Sequence, residues 1–104
     1  MTVNLTETID ALRRYLSGEC SVEAFEAWYY PRFKNEPADT PDDEHVIYAK
    51  VFGDLDAYTP PDLWVNDRKE YDIDEDELRK RLRSHLGNLN ALYDKKSKMP
   101  PAVN

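Results

Sequence analysis

With 104 residues, 40% of them apolar and 12% aromatic, the chain can build one small domain around a single modest core, and it is too rich in apolar residues for a disordered acidic tail. Its three glycines disfavour turn-rich β folds and glycine-rich phosphate loops. The formal net charge of −7 is unevenly spread: Glu36 to Glu77 holds 15 Asp/Glu against three Lys/Arg, a local balance of −12 that leaves the remainder at +5.

Four helical patterns follow one another. The first is predicted from Leu5 to Ser17, with Ile9, Leu12 and Leu16 at helical intervals. Asn4 and Glu7 have capping-box spacing, and Gly18 stands where a left-handed stop residue belongs. The second begins with Ser21 as N-cap and sets Val22, Phe25, Trp28 and Tyr29 on one face; Pro31 is expected to end or kink it. Lys34 to Asp39 reads as a loop. Thr40 then caps a third helix, with Pro41 at its first position, Asp42, Asp43 and Glu44 in its first turn, and the stripe Tyr48, Val51, Phe52, Leu55 and Tyr58. Thr59-Pro60-Pro61 stops it.

A polar stretch from Asp62 to Asp72 precedes the best helix start in the chain. Asp74 and Glu77 form a capping box, Ile73 and Leu78 a hydrophobic staple, and Leu78, Leu82, Leu86, Leu89 and Leu92 a continuous stripe. The pattern predicts an all-α fold, a single-domain antiparallel four-helix bundle over residues 1–93 with a basic, flexible tail over 94–104.

Catalytic chemistry finds little material. His45 is expected on the surface and His85 half-buried at the edge of the last stripe; neither lies in a nucleophile or metal pattern. The alternation Asp72-x-Asp74-x-Asp76 fails as a calcium loop, because Glu77 occupies the position that needs glycine and Arg83 the position that needs a bidentate Glu. No catalytic residue, metal or cofactor is therefore assigned. MTVNLTETIDALRR has neither a basic leader nor an apolar run, no stretch approaches the ~20 apolar residues of a membrane span, and Cys20 alone cannot form an internal disulfide. A cytoplasmic protein is expected. The basic cluster at Arg79 to Arg83 is accounted for by the pairs Glu75–Arg79, Asp76–Lys80 and Glu77–Arg81, so direct nucleic-acid binding is not expected.

The acids divide by position. Those of Asp42 to Glu44 and Asp74 to Glu77 start helices, where the macrodipole welcomes them. Asp54 and Asp56 lie near a helix C-terminus, which disfavours negative charge, and Asp62, Asp67, Glu70 and Asp72 follow, interleaved with Tyr58, Trp64 and Tyr71. A surface of this kind suits a basic protein partner.

Three stretches resemble the colicin D immunity family, which includes related immunity proteins of pyocin and contact-dependent inhibition systems. They are LRRYLSGECSVEAF at Leu12–Phe25, DLDAYTPPD at Asp54–Asp62 and YDIDEDELRKRL at Tyr71–Leu82, in the family's order and spacing. The chain departs from the pattern at Thr59, where many relatives have Cys, and in its own Lys34–Pro41 linker. The resemblance implies a bacterial immunity protein, a small helical bundle that binds a cognate toxic nuclease domain of RNase or tRNase type and sets acidic residues where substrate phosphates would lie; the sequence leaves the oligomeric state open, with a monomer favoured. Carried over, Asp54, Asp56, Tyr58, Asp72 and Asp74 match the family's segments. Asp62, Trp64, Asp67, Glu70 and Tyr71 join the partner-binding set on the argument from charge and aromatic anchors alone. An acidic adaptor or nucleic-acid-mimic regulator of a basic non-toxin protein is the alternative reading of the same charge.

Overall fold

A computed structural model describes residues 3–59 and 73–98. Its four helices are α1 (Val3–Leu16), α2 (Val22–Lys34), α3 (Asp42–Ala57) and α4 (Glu75–Lys98). They form an up-down-up-down ring in which sequence neighbours are antiparallel and α4 closes against α1. The pairing is visible from end to end: Glu7 meets Arg32 across α1 and α2, and Asp43 meets Lys96 while Asp54 meets Arg81 across α3 and α4. The predicted all-α bundle is the observed fold.

Leu5, Ile9, Leu12 and Tyr15 of α1, Val22, Phe25 and Tyr29 of α2, Tyr48, Val51 and Leu55 of α3, and Leu78, Leu82 and Leu89 of α4 fill the core, with Ile73 closing one end. Spacings of three, four or seven residues separate them along each helix, so one stripe per helix faces inward. Leu86 and Leu92 of the α4 stripe remain half-buried.

The helix ends follow local chemistry. Gly18, at φ 88°, closes α1: its N–H bonds the Tyr15 carbonyl and the Glu19 N–H reaches back to Arg14, satisfying two otherwise orphaned acceptors. Ser21 Oγ accepts the Ala24 N–H at 3.1 Å and opens α2 as predicted. Asp74 does the same for α4, accepting the Glu77 N–H at 2.8 Å, while Ile73 and Leu78 are both buried as a staple requires.

Four local expectations are corrected. Asn4 lies inside the first turn of α1 and accepts the Thr8 hydroxyl, while the Glu7 carboxylate is drawn across to Arg32, a charged partner that outcompetes a backbone amide. Pro31 does not end α2, which runs on to Lys34; Pro31 and Ala27, whose carbonyl loses its helical donor, both face outward, where water can serve it. Thr40 turns its hydroxyl back to the Pro37 carbonyl at 2.7 Å, and Pro41 takes the N-cap position of α3 without a side-chain bond. Phe52 of the expected α3 stripe lies outside the core and is part-exposed. Beyond these, α4 continues through Lys98, into the stretch assigned to a tail from Asp94 onward.

That extra length has a function in the fold. Glu44, placed by the sequence among the acids that start α3, is fully buried at 0% exposure. Its carboxylate accepts the Tyr48 hydroxyl at 3.0 Å and the Lys96 ammonium at 2.6 Å, and Lys96 also reaches Asp43 at 3.1 Å. Burial alone would lower the Lys96 pKa, but the hydrogen bonds and charges of Glu44 and Asp43 together outweigh it and hold it above the ordinary lysine value. Removing one partner of a buried ion pair strands the other, at a cost of about 3–5 kcal/mol. Because Lys96 keeps slight contact with water, Lys96→Ala should sit at the low end, about 3 kcal/mol in urea denaturation. Glu44→Met combined with Lys96→Met should recover part of that loss, since no buried charge is left alone.

Buried phenols set an alkaline limit. Burial, then the hydrogen bond to Glu75, raises Tyr15 far above the usual tyrosine value; burial does the same for Tyr29, and pushes Tyr30 up to about 12. The folded chain keeps these protons where the unfolded chain loses them near pH ~10. Their contribution is complete below that pH and is lost as pH rises through the folded values. The urea midpoint should therefore be flat up to about pH 10 and fall steeply above it, with tyrosinate absorbance appearing together with the loss of helical circular dichroism.

Candidate partner-binding face

The backbone brings the two ends of the acidic window together. Tyr58 is extended, forms a parallel bridge with Ile73, and is flanked by bonds from the Ile73 N–H to the Ala57 carbonyl at 3.0 Å and from the Thr59 N–H to the Ile73 carbonyl at 3.1 Å. The C-terminus of α3 and the N-terminus of α4 are thereby fixed side by side, so Asp56, Tyr58 and Asp74 share one end of the bundle. Asp62, Trp64, Asp67, Glu70, Tyr71 and Asp72 lie outside the described residues.

Among the residues singled out by charge, Asp54 and Asp56 part company. Asp54 is a bound carboxylate with its side chain only 16% exposed. Oδ1 accepts Arg81 Nη1 at 3.2 Å, and Oδ2 lies 2.5 Å from His85 Nε2. Arg81 is in turn held by Glu77 through Nε at 3.0 Å, and that bond, ahead of those to Asp54, keeps its guanidinium pKa above the ordinary arginine value. His85 is the half-buried structural histidine its position predicts. Asp56, two residues on, points away from α4 and is exposed, as is Asp74, whose carboxylate caps α4. Tyr58 is half-buried against the core.

The opposition between Asp54 and the helix dipole is thus resolved inside the fold. A misplaced charge at a helix C-terminus costs about 0.3–1 kcal/mol, whereas a hydrogen bond to a charged group contributes about 1.5–3 kcal/mol, so the cross-helix partners win. Sequence spacing could not reveal this, because Asp54, Arg81 and His85 meet only in the tertiary structure.

Two further constellations were not anticipated. Arg32 lies over the Trp28 ring at 4.5 Å from its centroid while paired with Glu7. Arg79 lies over Tyr15 at 4.7 Å while near Glu75, whose other contact is the Tyr15 hydroxyl at 2.8 Å. The available signal was the i,i+4 spacing of Trp28 and Arg32 and the place of Tyr15 one turn beyond Leu12. A groove of about 300 Å³ runs between α1 and α2, with Cys20, Phe25 and Trp28 in its wall and Glu7 and Asp10 at its rim. Among the described residues no His, Cys, Asp or Glu group could hold a metal ion, and no helix is long and apolar enough to cross a membrane.

A single-domain helical bundle is now matched by an independent comparison. A family model described as bacterial self-protective colicin-like immunity covers residues 1–89. The chain belongs to the colicin-like immunity family. Searches of curated proteins and of solved structures returned no match. The matched stretch of this immunity-family chain includes all of α1 to α3 and the α4 start with its Asp54–Arg81–His85 contacts; Lys96 lies beyond it.

The division between Asp54 and Asp56 is measurable. Asp54→Ala should lower stability by about 1–3 kcal/mol by leaving Arg81 and His85 without their shared acceptor. Asp56→Ala should stay within about 0.5 kcal/mol of the parent. Equal losses in the two variants would contradict the contact set around Asp54.

Proposed function

We propose that this chain neutralises a cognate nuclease toxin, of the RNase or tRNase type met by colicin D immunity proteins, by stoichiometric binding in the bacterial cytoplasm. An acidic face stands in for substrate phosphates and meets the basic residues with which the toxin binds RNA. The observation that carries the reading is the joining of α3 to α4 by the Tyr58–Ile73 bridge within a chain of the immunity family. It supports a face built on Asp56, Tyr58 and Asp74, from which the chain departs at Thr59 and to which it returns at Ile73. Asp62, Trp64, Asp67, Glu70, Tyr71 and Asp72 belong to the same proposed face by sequence. Asp54 contributes indirectly, holding α3 against α4 so that its neighbours are presented in a fixed arrangement.

The chemistry asked of such a face is complementarity rather than catalysis. Opposed fields raise the association rate and favour basic partners, while aromatic side chains at the contact slow dissociation. The buried ion pairs at Glu44 and Asp54 are consumed by folding and add little to the outward field. The exposed carboxylates therefore carry the steering.

Co-expression of the toxin domain encoded beside this chain should restore growth, and the two proteins should elute together in gel filtration. Toxicity undiminished by the chain, with no complex, would refute the proposal. Within it, Asp56→Lys combined with Asp74→Asn should slow association about tenfold or more at low ionic strength and flatten its salt dependence. Asparagine is chosen at 74 because it keeps the cap of α4 while removing the charge. Association rates equal to the parent at every salt concentration would remove these two carboxylates from the face.

A further inference from the structure

The α2–α3 side of the bundle carries a surface that folding leaves incomplete. Phe33 and Phe52 stack at 4.8 Å between centroids, and Tyr30 meets Phe52 edge-on at 5.6 Å. Phe52 is nevertheless 36% exposed, among the few large apolar side chains that reach solvent. Carboxylates border these rings on both helices. Glu26, one turn before Tyr30, accepts its hydroxyl at 3.3 Å, and exposed Asp56 stands one turn beyond Phe52 on the same side of α3. Both act on the Tyr30 phenol, whose proton is held more tightly by burial first, then by Glu26 and Asp56. Burial also raises the pKa of the Glu26 carboxyl, with nearby Glu23 adding to it against the lowering effect of the Tyr30 hydrogen bond.

The chain twice completes an arrangement of this kind with an arginine of its own. Arg32 covers Trp28 and pairs with Glu7; Arg79 covers Tyr15 and pairs with Glu75. In both, the ring face takes the flat guanidinium and a carboxylate balances its charge, by hydrogen bond at Arg32 and as an ion pair at 3.6 Å at Arg79. At Phe52 and Tyr30 the ring and the carboxylates are present, but among the described residues no Lys or Arg pairs with Glu26 or Asp56. Two unneutralised carboxylates beside an exposed ring favour a cation that also offers an apolar plane. Lysine supplies the charge without the plane.

We propose that the α2–α3 face, with Phe52 and Tyr30 between Glu26 and Asp56, is a receptor for an arginine side chain of the cognate toxin. This rests on the reading of the chain as an immunity protein and deepens it by adding a side-chain-specific anchor to a field that only steers. Asp56 belongs to both surfaces, so the anchor is continuous with the acidic end of the bundle. The guanidinium lies against the exposed part of Phe52 and donates to Glu26 and Asp56. A single guanidinium thereby balances both acids and completes the site as Arg32 and Arg79 complete theirs.

The test uses the full chain and the toxin domain, with affinity measured by calorimetry for the parent, for Phe52→Leu and for Glu26→Gln with Asp56→Asn. Leucine keeps the apolar bulk and removes the ring; the amides keep the shape and remove the charge. Each variant should retain parental helical content and bind the toxin at least tenfold more weakly. Combining all three substitutions should cost less than the product of the separate losses, because they act on one bound side chain. Lysine substitution of the toxin arginine found at this face should weaken the parent complex comparably and leave the Phe52→Leu complex nearly unchanged. Parental binding of toxin with both variants within twofold of it would overturn the anchor and leave the immunity reading intact. Failure of the parent chain itself to bind would overturn that reading and the anchor with it.

Discussion

The bundle depends on the grip of α3 on α4. Near its start, α3 buries the Glu44 carboxylate against Lys96; near its end, it holds Arg81 and His85 with Asp54. These contacts lie far apart along the two helices and fix both their register and their antiparallel sense. An apolar stripe alone would tolerate sliding by one turn, since Leu78, Leu82 and Leu89 present similar surfaces. A slide would leave Glu44 buried without its cation, at a cost of several kcal/mol. Buried charge here adds little to net stability but does a great deal to exclude the wrong register.

That constraint positions the end of the bundle where α3 finishes and α4 begins. With α3 and α4 locked, the Tyr58–Ile73 bridge closes between fixed points, and Asp74 is held where it both caps α4 and stands beside the α3 terminus. α1 joins the same end through Tyr15, whose hydroxyl binds Glu75, and through Arg79, whose Nη1 donates to the Leu16 carbonyl at 3.3 Å. The carboxylates facing outward are therefore carried on a rigid base, which lets a partner read their spacing as well as their sum.

Much of the fold was legible because it is written in local chemistry. Gly18, Ser21 and Asp74 act at helix ends through bonds spanning a few residues, and the leucine stripe of α4 repeats at a period only a helix satisfies. Pro31 misled because its cost depends on which way the outer face points, and Thr40 because its hydroxyl had a nearer carbonyl at Pro37. The candidate site was legible in composition but not in allocation. Asp54 and Asp56 are both acids near one helix end, separated by a single leucine, yet one faces α4 and the other does not. Their spacing places them about 160° apart around the helix axis when each residue turns it by ~100°. Glu44 gave a signal that could have been used: it sits on the stripe of Tyr48, Val51 and Leu55, where a surface acid does not belong.

Allocation also bears on which residues of the bundle are open to exchange. Residues that set register, Glu44, Asp54, Arg81 and His85 among them, are engaged within the chain and cannot be exchanged singly without stranding a partner. Asp56, Glu26 and Phe52 are less restricted, since each keeps a surface open to water and, among the described residues, no Lys or Arg pairs with the two acids. Substituting them costs the bundle little and would alter the proposed arginine receptor. Two neighbouring aspartates on α3 thus stand under different demands. Asp54 answers to the helix beside it, and Asp56 faces solvent, where the proposed partner would meet it.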